Sequence, residues 1–107
     1  MNKNVQERKY VGIDNDINGG MTDTGKVIRD AWVFEIIPET ETCEGWLSTA
    51  IQELWDKTSK EWEKYGFLIS NLPEDKKQRF QRIQSAAIKR AKAEGWDPEK
   101  DIENDSP

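Results

Sequence analysis

The sequence predicts an all-α fold, a compact domain of three helices over about 23–37, 43–65 and 73–94. Three observations predict it. Apolar residues recur at helical spacing through the second and third segments. Pro38, Gly66, Pro73 and Gly95 stand where helices stop or start. A length of 107 residues with five tryptophans supplies one core and no second one. The expected organisation is a single helical domain over 1–96, irregular through 1–21, with a disordered acidic tail over 97–107.

The first helix opens at Thr22 or Asp23 as an N-cap and must stop before Pro38. On a helical wheel Val27, Ala31 and Phe34 share one arc, Ile28, Trp32 and Ile36 the next, and Val33 and Ile37 fill much of the remainder. A helix that is apolar all round is either the central core element or covered by a partner. The β-branched and aromatic residues of 31–37 leave a short strand open there, as does the run 10–13.

Thr42 is the expected cap of the second helix and Gly66 its closing left-handed residue. Leu47, Ile51, Leu54, Trp55, Thr58, Trp62 and Tyr65 form the inner arc, with charged residues opposite and Trp46 projecting among them. Pro73 suits the first turn of the third helix, and Glu74 and Asp75 favour the positive end of its dipole. Phe80, Ile83, Gln84, Ala87, Ile88 and Ala91 face inward, and Gly95 followed by Trp96 reads as a Schellman stop.

The chain contains no histidine, which removes Ser-His-Asp and Cys-His catalysis and most zinc sites, so no enzyme is expected. A single cysteine, Cys43, excludes an internal disulfide and suits a reducing compartment. No run approaches the roughly 18 apolar residues of a membrane span, and the first residues lack the apolar core of a signal peptide. A cytoplasmic location away from membranes is expected. Net charge is −5, arranged as acidic, basic and acidic stretches.

Two loop motifs overlap at 14–26. Gly20 to Lys26 has the glycines and lysine of a phosphate-binding P-loop, but Val27 stands where the Mg²⁺-binding hydroxyl belongs. A weaker anion cradle of Thr22, Thr24 and Lys26 at the helix start remains an alternative. Asp14, Asp16, Asn18 and Gly19 match the opening of a calcium loop, yet the twelfth position is Gly25 rather than a bidentate carboxylate. Neither motif is complete, and no cofactor is expected. Cys43, placed near a helix start between Glu41 and Glu44, reads as an inert packed thiol.

Arg79, Arg82, Lys89 and Arg90 give the third helix a basic face suited to nucleic acid or to an acidic segment. The face is broad rather than dense, so nucleic acid is the second choice of partner. The first is another protein or a second copy as a homodimer, met through Trp46, Trp32 and Phe34. The expected activity is therefore protein interaction or self-association. Nucleic-acid binding and an anion or calcium site at 14–26 are the alternatives.

Overall fold

A computed structural model describes residues 9–97. The expected tail from residue 98 onward lies outside them. Three α-helices form: α1, Asp23–Val33; α2, Ser48–Glu63; and α3, Glu74–Ala93. Short 3-10 turns span Ile13–Asn15, Ile17–Gly20 and Ile69–Asn71. The fold is the all-α three-helix domain that the periodicity predicts. Among the described residues neither 10–13 nor 31–37 becomes a strand, and an isolated bridge joins Lys9 to Leu47.

Helix α1 is the centre of the domain, and α2 and α3 each pack on it. Val27, Ile28, Ala31 and Val33 are buried, and so are Arg29 and Asp30 on the same helix. Of the two readings of its apolar surplus, a central core element is the one this burial supports, with Trp32, Ile36 and Ile37 left half-buried at its margin. Thr22 caps α1 as predicted, its Oγ1 accepting the Gly25 N–H at 3.0 Å.

The helix stops at Val33, well short of Pro38. Its closing turn is a Schellman motif on a residue other than glycine: Ile36 N–H donates to Ala31 C=O at 2.9 Å and Glu35 N–H to Trp32 C=O at 3.1 Å, with Glu35 at φ 59°. Early closure drops Phe34 into a second core with Trp62 and Leu72. The Phe34 ring meets Trp62 edge to face at 5.1 Å and stacks on Tyr65 at 6.2 Å.

Helix α2 begins at Ser48 rather than 43, so Thr42 is not its cap. The preceding residues serve the N-terminal segment instead. Ile13 N–H donates to Thr42 C=O at 3.1 Å, Tyr10 N–H to Trp46 C=O at 2.8 Å, and Gly45 N–H to Tyr10 C=O at 2.8 Å. These bonds tie the two segments together and pair the N–H of the buried Ile13. The segment after residue 9 is therefore docked on the domain, with Ile13 in the main core beside Ile28, Cys43 and Leu54.

The other ends follow their sequence signals. Gly66, at φ 62°, closes the last turn of α2, with Phe67 N–H donating to Trp62 C=O at 3.0 Å. Pro73 caps α3, and Glu74 and Asp75 occupy its first turn. Trp96 N–H donates to Ala91 C=O at 2.9 Å and Gly95 N–H to Lys92 C=O at 3.1 Å, completing the predicted Schellman stop.

Glycines of the two loop motifs are contact points between elements. A Cβ on Gly25 would lie 2.1 Å from the Gly20 carbonyl oxygen, and one on Gly19 would lie 2.6 Å from Ala91 Cα. Gly25 seats the Ile17–Gly20 turn on α1, and Gly19 seats it on α3.

Candidate functional site

The 14–26 segment spends its polar groups on itself and on neighbouring elements. Asp16 Oδ2 accepts from Tyr10 OH and from Thr22 Oγ1, both at 2.6 Å, while Oδ1 accepts from Ile17 N–H at 2.8 Å. Burial first, and the bond to Asp16 second, push the Tyr10 phenol well above its ordinary pKa. Asp14 turns to the Arg90 guanidinium on α3. The two aspartates of the calcium-like loop therefore face different partners, and the Asn18 side chain lies outside the described residues. No group of three or more His, Cys, Asp or Glu residues able to hold a metal ion occurs among the described residues. Of the anion candidates, Thr22 is committed to its cap and Lys26 pairs with Asp30 at 3.1 Å, while Thr24 is half-buried beside a cleft described below. Two of the three side chains of that alternative cradle are thus engaged with other groups of the chain.

The basic face of α3 docks acidic segments of the same chain. Arg82 forms a two-pronged pair with Glu39, at 3.1 and 2.7 Å, which holds the Glu39 carboxyl below its ordinary pKa. Arg79 donates to Val33 C=O at 2.9 Å and lies 3.6 Å from Glu35. Arg90 bonds Asp14 and Glu94. Of the four residues of the nucleic-acid alternative, three are engaged in this way, and Lys89 is exposed.

Phe34, expected at an interface, is 8% exposed and belongs to the core. Trp32 is half-buried, its Nε1–H donating to Glu41 C=O at 3.0 Å. Trp46 precedes α2 instead of projecting from its charged side. Cys43 is fully buried at φ 64°, and its N–H donates to Glu41 Oε2 at 2.9 Å. Burial, then the Glu41 charge, raise its thiol from 9.0 to about 11. The native state therefore keeps the thiol protonated more strongly than the unfolded chain does. This contribution is fully present below pH 9 and is lost as pH rises from 9 towards 11. Relative to Cys43→Ala, the parent protein is expected to lose stability over that window in denaturant titrations. Iodoacetamide should label Cys43 only as fast as the domain opens.

What the structure brings together is an aromatic face on α2. Trp55 is 40% exposed and stands as a ridge between two open clefts, lining both. The first, about 460 Å³, has Trp62, Phe67, Ile69 and Phe80 as further walls. Phe67 and Ile69 are 59% and 44% exposed. Asp23, Lys26 and Asp30 give this cleft two carboxylates against one ammonium. Asp30 is 5% exposed, and its Oδ2 accepts from Trp62 Nε1–H at 3.0 Å as well as from Lys26. The second cleft, about 540 Å³, lies between Trp55 and Trp46, with Tyr10, Val11 and Ile51 beside them.

Sequence reasoning assigned Trp55 to the inner arc and the run Phe67–Leu72 to an apolar loop. The available signal was that such a loop has more apolar surface than a connector needs. Trp46, named for an interface, does line this face. No family model, curated protein or solved structure matches the chain.

Proposed function

We propose that the protein acts without catalysis, by holding a partner protein on the face around Trp55. The observation that carries this reading is the half-exposed Trp55 between two clefts, with exposed Phe67 and Ile69 beside it. Soluble domains rarely leave contiguous aromatic surface open without a use, and tryptophan seated centrally in such a patch is the residue type that anchors interfaces. The surplus of carboxylates in the first cleft favours a partner segment with an apolar residue next to a lysine or arginine. A buried lone thiol supports action in the reducing cytoplasm. Nucleic acid is the weaker alternative, because Glu35, Glu39, Asp14 and Glu94 already compensate the arginines of α3.

Photo-crosslinking in source cells tests the reading. A benzophenone side chain at position 55 is expected to trap one predominant protein, and the same group at Ser85, on the exposed side of α3, is expected to trap none. Equal adducts at both positions, or none at 55, contradict it. An adduct of twice the chain's mass identifies the partner as a second copy.

A further inference from the structure

We propose that a third pocket, between the Ile17–Gly20 turn and α3 with Arg29 at its base, binds a small carboxylic acid with a short apolar body. It shares no lining residue with either Trp55 cleft, so the inference stands apart from the docking reading.

Arg29 is 4% exposed, yet among the described residues no carboxylate lies within ion-pair distance of it. Its Nε–H donates to Gln84 Oε1 at 3.3 Å and Nη1 to the Gly20 carbonyl at 2.8 Å, while Nη2 lies 3.8 Å from the Met21 sulfur. A guanidinium carries five N–H donors, and among the described residues these three contacts leave two of them for another acceptor. Burial lowers the Arg29 pKa, and Asp30 and Asp16 oppose this only at longer range. Arg79, Arg82 and Arg90, all more exposed, each have a carboxylate at hand. Among the described arginines the deepest is the one without. A buried cation held only by neutral acceptors is costly, and an anion that enters beside it relieves that cost.

The cavity is about 180 Å³. An apolar cavity of about 150 Å³ accommodates a benzene-sized molecule, so a short-chain acid fits. Ile13, Ile83 and Ala87 supply apolar walls, and the small Ala87 leaves the space open. Arg82 and Arg90 stand at the lip with Glu39. A planar carboxylate matches the guanidinium fork of Arg29, and the apolar walls suit a short hydrocarbon body.

The full chain, isotope-labelled, is titrated with butyrate at constant ionic strength, and in parallel with n-butanol and n-butylammonium. Butyrate is expected to shift the Arg29 Nε–H and the Ile83 and Ala87 methyl signals, saturating in the millimolar range, with no matching effect from the other two. Arg29→Met is expected to weaken binding at least tenfold. Because that variant also removes structural bonds, Ala87→Leu provides a second arm: it fills the cavity from α3, leaves the Arg29 contacts in place, and should abolish the shifts. Butanol acting as strongly as butyrate, undiminished butyrate binding by Ala87→Leu, or the absence of a saturable shift overturns the proposal.

Discussion

Gly25→Ala is expected to destabilise the domain by about 3 kcal/mol or more, at or beyond the upper end of ordinary overpacking. The new Cβ would sit 2.1 Å from the Gly20 carbonyl oxygen. That oxygen belongs to backbone already held by Arg29 Nη1, so no rotamer change relieves the clash. The Ile17–Gly20 turn must lift from α1, and its contact with α3 through Gly19 and Ala91 lifts with it. Chemical denaturation of Gly25→Ala beside the parent protein measures the loss. A change below about 0.5 kcal/mol, typical of surface substitutions, would mean that the turn is not seated there.

Trp62→Ala should cost a comparable amount, about 3–5 kcal/mol, because the indole unites the second core. It meets Phe34 at 5.1 Å and Phe80 at 6.2 Å, and it donates to the buried Asp30 carboxylate. Trp62→Phe separates these contributions. It keeps an aromatic ring in the core and removes the N–H to a charged acceptor together with part of the ring volume, for an expected loss of at least about 1.5–3 kcal/mol. Lys26→Met removes the other donor to Asp30 but should cost less than about 1 kcal/mol, because that ammonium is largely in water. Calorimetry of the three variants should rank them Trp62→Ala, Trp62→Phe, Lys26→Met. The reverse order for the last two would place the weight of the Asp30 contacts on its surface pair.

Helix existence and most helix ends are local matters, and they were legible. Thr22, Gly66, Pro73 and the Gly95–Trp96 pair act on hydrogen bonds within a turn of themselves, where residue type is sufficient. The start of α2 was not legible. Thr42 has the chemistry of a cap, but its carbonyl accepts from Ile13, a partner that no local pattern reveals. The end of α1 was hidden for a related reason, since Glu35 adopts the left-handed turn that sequence rules reserve for glycine.

The candidate sites divide along the same line. The calcium-like and P-loop-like patterns are real patterns of Asp, Gly and Lys. Asp14 and Asp16 nevertheless answer to Arg90, Tyr10 and Thr22, and Gly25 answers to steric contact. A helical wheel placed Trp55 near the core without showing which edge of the arc the neighbouring helices leave uncovered. Nor does a wheel mark Arg29 as buried, although α1 is enclosed on that side as well.

The central claim is that α1 is the internal element of one chain and that recognition is left to the Trp55 face. Hydrogen exchange of the α1 amides tests this most directly. The account predicts that residues 27–33 exchange slowest of all, through global unfolding, with protection unchanged across a roughly 100-fold range of protein concentration. Protection in α1 that falls below that of α2, or that rises with concentration while α2 and α3 stay unchanged, would contradict it.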